Sequence, residues 1–203
     1  YIINHNTKIE SLDELIEVKP FDLSSGNKIS VGCIGALRDY KINIDFIESL
    51  RNSEIVQLNY HGEGDINEDI SRYLFEHDIK NVKLTGRYDK KEEPELYIKN
   101  NIINVLRYND GINNKTALPN RLYNAAIYGK PMLAFEGTYL AEIVNKYNLG
   151  IVVESFDNIE IEIMEYINDF KLEFYENGRT LFFEGVIKEN KEFRDRLEKF
   201  KIN

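Results

Sequence analysis

Short apolar runs rich in β-branched residues recur along the chain, each followed by a polar stretch whose apolar positions fall at helical spacing. Ile29-Ser30-Val31-Gly32-Cys33-Ile34-Gly35 is the first such run, closed by glycine, and reads as a buried strand. Ile42–Arg51 then spaces Ile44, Ile47 and Leu50 as one helical face. The same alternation predicts strands at Glu54–Asn59, Val82–Leu84, Ile102–Leu106, Pro131–Phe135 and Gly150–Val153. Helices are expected at Ile66–His77 (Ile70, Tyr73 and Leu74 inward), Glu93–Lys99, Ala117–Tyr128 and Tyr139–Tyr147, with a short one at Ser11–Glu17. From about Ile159 the chain reads as charged helix, and Glu184–Phe200 is expected to pack on the rest with a loose or rearranged tail.

Strands alternating with helices in this way define βαβ units. The expected fold class is α/β, a Rossmann-like parallel sheet of about six strands with helices on both faces. Residues 1–27 read as a link and N-terminal extension, 28–155 as the Rossmann-like domain and 156–203 as helices packing on it. Tyr1-Ile2-Ile3 reads as the end of a strand, without an initiator Met, which suggests an excised fragment.

Composition narrows the function classes. A net charge of −9 over 203 residues argues against non-specific binding to nucleic acid or to an anionic membrane surface. It leaves room for a small anion, because a few Arg and Lys residues can dominate one cleft. The lone cysteine, Cys33, lies in an apolar run and reads as a core thiol in a reducing, cytoplasmic setting. One Cys and three scattered histidines (His5, His61, His77) offer no metal-ligand spacing. No stretch approaches the ~18 consecutive apolar residues of a membrane span.

In open parallel sheets ligands bind beyond the carboxyl ends of the strands, where the strand order reverses. Gly35, Gly62, Gly64 and Gly86 all fall at such ends. After the first strand, Gly35-Ala36-Leu37-Arg38-Asp39-Tyr40-Lys41 joins a turn-permitting glycine to a helix start and two cations, a combination suited to a diphosphate and equally to a solvated loop. There is no P-loop Lys-Ser/Thr and no complete G-x-G-x-x-G. His61-Gly62-Glu63-Gly64 permits close backbone approach to a ligand, or is a plain tight turn. Leu84-Thr85-Gly86-Arg87-Tyr88 presents an aromatic that would pack on a nucleobase, or an ordinary exposed loop. In the helix expected at Ala117–Tyr128, Pro119 suits the first turn and Gly129 the C-terminal stop. Its Leu118, Leu122, Ala125 and Ala126 would face the sheet, leaving Asn120, Arg121, Asn124 and Tyr128 on the free side. An ordinary amphipathic helix has the same pattern.

In order along the chain, these segments resemble the C-terminal domain of family-4-like GT-B glycosyltransferases, above all bacterial enzymes of capsular and other surface polysaccharides. Gly32-Cys33-Ile34-Gly35-Ala36-Leu37-Arg38 is similar to their first strand and phosphate loop, Gly62-Glu63-Gly64 to their G-x-G turn, and Asn81-Val82-Lys83-Leu84-Thr85-Gly86 to their "N-V-x-F-x-G" strand. Leu118-Pro119-Asn120-Arg121-Leu122-Tyr123-Asn124-Ala125 with Gly129-Lys130-Pro131 resembles the donor helix "P-x-K-x-x-E … G-K-P". Ile2-Ile3-Asn4 resembles the interdomain "V-I-P-N" link, and the likeness covers residues 1–155.

The resemblance implies that Arg38 and Lys41 stabilise the leaving diphosphate of a UDP- or GDP-sugar donor, with Arg121 assisting. It places Gly86, Arg87 and Tyr88 beside the base, Gly35, Gly62, Glu63 and Gly64 on the phosphate and ribose side, and Pro119 in the donor helix. Gly137 and Thr138 would lie near the sugar. It further implies no cofactor or metal, a cytoplasmic enzyme, and an acceptor domain on a missing N-terminal half, which would also make any contact with the inner membrane face. Two glutamates eight positions apart in the family are here Thr116 and Asn124; an amide can still hydrogen-bond a ribose, whereas Thr116 cannot replace a carboxylate. These departures keep two rivals open, a non-catalytic nucleotide-binding or interaction module and half of a nucleotide-sugar 2-epimerase. The missing G-x-G-x-x-G weakens a nicotinamide dehydrogenase.

Overall fold

The computed structural model describes residues 4–21 and 27–201, with side chains up to residue 199. The strand end at Tyr1-Ile2-Ile3 and most of the Ile2-Ile3-Asn4 link lie outside the described residues.

Six parallel strands form one sheet: β1 (Ile29–Ile34), β2 (Val56–His61), β3 (Val82–Gly86), β4 (Ile102–Asn104), β5 (Met132–Phe135) and β6 (Gly150–Val153). Their order is β3-β2-β1-β4-β5-β6, so the chain reverses its direction of travel across the sheet between β1 and β4. The helices are α1 (Tyr40–Ser49), α2 (Asn67–Glu76), α3 (Glu93–Lys99), α4 (Ile112–Thr116), α5 (Asn120–Ile127), α6 (Tyr139–Lys146), α7 (Ile159–Asn168) and α8 (Leu172–Lys201).

Both sheet faces are covered because successive strand residues point to opposite sides. Val31 and Cys33 of β1, Ile102 of β4 and Leu133 of β5 pack with Phe46 and Ile47 of α1, Ile70 of α2 and Ile163 of α7. Ile34, Ile103, Met132 and Ala134 face the other way, onto Tyr97 of α3, Leu122 and Ala126 of α5, Val144 of α6 and Phe183 of α8. The same second cluster takes in Ile9 and Val18 of the N-terminal segment. Arg179 of α8, 4% exposed, binds that segment down by donating to Ile16 O and Ala126 O. Among the described residues no helix is long and apolar enough to cross a membrane.

Two expected helices come out differently. Ser11–Glu17 shortens to one 3-10 turn, Leu12–Glu14, closed by a capping box in which Ser11 and Glu14 satisfy each other's backbone. The chain then leaves the helix because Ile16 N donates to Ile127 O. The helix expected over Ala117–Tyr128 splits into α4 and α5. Pro119 lacks an N–H and biases Leu118 away from helical backbone, so Pro119 stands as the extended N-cap of α5 (φ −73°, ψ 153°) instead of inside its first turn.

Candidate functional site

At the carboxyl edge of β1, β2 and β3 the three connecting loops border a shallow, open cavity of about 240 Å³, lined by Gly35, Ala36, Gly62, Glu63, Arg87 and Tyr88. Five of these are residues that the strand-end reading singled out; Ala36 completes the ring.

The loops are stitched together by backbone. Gly35 N donates to His61 O, and Gly62 N to Gly86 O, each at 2.8 Å. Asn67 clamps the second loop, accepting from Gly64 N at 2.7 Å and donating to Gly62 O at 3.0 Å. A Cβ on Gly62 would lie 2.1 Å from Gly35 O, and one on Gly64 1.8 Å from Leu37 O. The sequence left these glycines open between ligand approach and a tight turn; at both, the backbone of the β1 loop fills the space a side chain would need, and Gly62 also lines the cavity. Gly86 differs, since its φ is +70° and nothing lies within 4 Å of where a Cβ would be.

Beside the cavity, at the β1/β4 junction, sits a cationic cluster. Arg121, in the first turn of α5, does not lie on a free wet face as its helical position suggested. Splitting the helix at Pro119 brings its first turn over the strand ends. There its guanidinium donates to Asn104 O (3.1 Å), Cys33 Sγ (3.2 Å) and Ala36 O (3.3 Å). The group thus ties β1 to β4 and stands just under the Gly35–Ala36 loop. Burial pushes the Cys33 thiol up, against the pull of Arg121.

Arg107, just past β4, is half-buried. Burial first, then the charges of Arg121 and Arg38, push its guanidinium down, with Asp39 opposing them. Among the described residues no hydrogen bond or ion pair satisfies it. Sequence reading passed over Arg107 because it searched strand ends for glycine; a cation directly after a buried strand at the order reversal was the available signal.

Arg38 is exposed in the loop before α1, and Asn43 Nδ2 pins that loop by donating to Arg38 O (2.7 Å) and Asp39 O (3.0 Å). Asp39 holds a left-handed backbone (φ 61°) and gives α1 no side-chain cap, so the helix presents bare N–H groups at its start. Lys41 points elsewhere: it pairs with Asp45 and lies 5.5 Å over the Tyr108 ring.

The remaining candidates make local contacts of their own. Thr138 is 2% exposed, and its hydroxyl donates to Phe135 O and accepts from Ala141 N, so it builds the start of α6. Gly137 is exposed and abuts Asn109, whose amide lies 2.3 Å from where its Cβ would be. Thr116 spends its hydroxyl on Ile112 O one turn back. Asn124 gives its amide to Glu93 Oε1 at 2.8 Å, a carboxylate on α3 that sequence reading did not consider. His61, at the end of β2, bonds Thr85 Oγ1 of β3 at 2.9 Å; burial, then Lys99, pushes its imidazole down.

No family model matches the sequence, and no curated protein does. Solved structures do match. The chain is similar to Anabaena Alr3699/HepE in complex with UDP and glucose (16% identity, TM-score 0.68, 85% of this chain and 49% of that one). It is similar to the lipopolysaccharide outer core galactosyltransferase WaaB (16% identity, TM-score 0.69, 97% and 55%). The C-terminal domain of the group 1 glycosyl transferase LpcC from Francisella tularensis also matches (21% identity, TM-score 0.56, 76% and 84%). The fold is the six-stranded Rossmann-like α/β fold of GT-B proteins. The chain spans about half the length of HepE and WaaB.

Proposed function

We propose that this chain is the donor-binding half of a GT-B glycosyltransferase and holds a nucleoside-diphosphate sugar across the carboxyl edge of its sheet. The observation that carries the reading is the pairing of a loop-framed cavity with three guanidinium groups, Arg38, Arg107 and Arg121, at the point where strand order reverses. An anion there would find Arg107 unpartnered and the bare start of α1 nearby. The similarity in fold to HepE, solved with UDP and glucose, supports a nucleotide-sugar ligand.

In this reading the base packs on Tyr88 beside Arg87, and the diphosphate lies between the Gly35–Ala36 loop and the arginines. As the glycosidic bond breaks, negative charge grows on the leaving nucleoside diphosphate, and fixed guanidinium donors stabilise it more than they stabilise the bound donor. Neutralisation by Arg38 and Arg107, with Arg121 orienting the loop, takes the place of a metal ion. Lys41 joins only if it exchanges Asp45 for phosphate. The acceptor site and any general base belong to a second domain, so the chain alone binds nucleotide and transfers no sugar.

Calorimetric titration with UDP, GDP, ADP and CMP tests this. One nucleoside diphosphate should bind and lose affinity on Arg107→Ala or Arg38→Ala. Absence of binding by all four at millimolar concentration, or sugar transfer by the chain alone, overturns the proposal.

A further inference from the structure

We propose that the groove between α7 and the start of α8 binds an aliphatic polyamine-type cation, with carboxylates at its ammonium groups and aromatic rings along its chain.

Asn148, on the groove wall, precedes β6, so the groove opens toward the amino ends of the strands, away from the cavity described above. It is open and has a volume of about 470 Å³, a size that suits a small molecule. Glu162, Glu165, Tyr166 and Asp169 fall at i, i+3, i+4 and i+7 and so share one face of α7 and its C-cap. Lys171, Phe174 and Tyr175 form the second wall. A Cβ on Gly178 would lie 1.8 Å from Tyr147 O, so α8 packs directly on the turn that carries Asn148.

Three carboxylates and one ammonium leave two negative charges in excess. Among the described residues none of these four groups makes an ion pair or a side-chain hydrogen bond. Glu162 is half-buried, and burial, then the charges of Glu165 and Glu154, push its carboxyl up. The carboxylates do not converge as metal ligands would: among the described residues no group of three His, Cys, Asp or Glu could hold a metal ion. They are strung along about 10 Å of helix instead, a spacing that meets several charges on one extended cation.

A second observation comes from the opposite wall. Tyr175 is 2% exposed, and its buried hydroxyl has no hydrogen-bond partner. Burial, then Tyr166 across the groove, pushes its phenol far up and keeps it neutral, an acceptor for an ammonium N–H. The Phe170 ring lies 5.8 Å from that of Tyr166 and 5.6 Å from that of Tyr175, and Phe174 stands 63% exposed on the same groove. Aromatic faces attract an alkylammonium and pack on its methylenes, whereas they gain little from a hydrated divalent ion.

The test is calorimetric titration of the 203-residue chain with spermidine, with Mg²⁺ at matched ionic strength and with a tri-lysine peptide. Glu162→Gln and Phe174→Ala are compared with the unaltered chain, and thermal unfolding checks that each folds. Spermidine should bind with a submillimolar Kd and should not be displaced by Mg²⁺. Glu162→Gln should weaken it about tenfold, as expected for a hydrogen bond to a charged group, and Phe174→Ala about threefold. Absence of spermidine binding at millimolar concentration, or displacement by Mg²⁺, overturns the proposal and leaves an acidic surface only. Unchanged affinity in both variants places the cation elsewhere and overturns it too. Tighter binding of tri-lysine than of spermidine replaces the polyamine with a basic peptide segment.

Discussion

The loop after β2 carries Gly62-Glu63-Gly64 and the loop after β3 carries Gly86-Arg87-Tyr88, and both leave the same edge of the sheet. In the first, the space a side chain would need is filled by the backbone of Gly35 and Leu37. In the second, the glycine opens on free space and its neighbours line the cavity. A glycine at a strand end thus marks close approach without saying what approaches. The first loop is packed against its neighbour's backbone and still lends Gly62 and Glu63 to the cavity wall, while the second lends Arg87 and Tyr88 from beside an open glycine.

Substitution separates the two. Gly62→Ala combines a forbidden backbone angle with an overlap against Gly35 O, and the expected cost is about 3–5 kcal/mol. Urea unfolding reads this directly, and a shift below about 1 kcal/mol would show that the loops can part cheaply. Next in size, Tyr88→Ala should lower nucleotide affinity about tenfold, some 1.4 kcal/mol, alongside the smaller stability loss of an aromatic packed at the edge of the second cluster. A stability loss with unchanged affinity would move Tyr88 to the scaffold side. Gly86→Ala meets no atom but keeps a φ of +70°, so about 1 kcal/mol is expected, a fraction of the Gly62 effect. Equal costs at the two glycines would erase the contrast.

The smallest effect concerns His61, which bonds across from the end of β2 to Thr85 of β3. Its folded-state pKa is lowered from 6.5, chiefly by burial. The folded state therefore binds the proton less well than the unfolded chain. Its contribution is fully present above pH 6.5 and is lost as pH falls through the lower folded value. Thermal unfolding from pH 7.5 to 5 should show a loss of stability that His61→Gln reduces. An identical pH profile in the variant would mean that other groups carry it.

Strand and helix placement was legible from periodicity because burial repeats at two residues in a strand and about 3.6 in a helix. Glu93–Lys99 and Gly150–Val153 fall where that pattern puts them. The helix through Pro119 did not, since a proline read as compatible with a first turn in fact ended one helix before the next began. Of the candidate site, five of the six cavity residues were legible, because glycines and their polar neighbours at strand ends are a local signal. Arg107 was not, because its place beside Arg121 and Arg38 comes from elements distant in the chain.

What the sequence alone determined is the alternation of buried strands and amphipathic helices, and with it a parallel sheet whose carboxyl edge is the place to look. Only the tertiary structure decided which cations converge there and which are spent elsewhere. Arg121 reaches three acceptors on β1, β4 and their loop, while Lys41 turns to Asp45 within its own helix. Side-chain direction depends on where each helix begins and what it packs against, and that is fixed by long-range contacts that no local window contains.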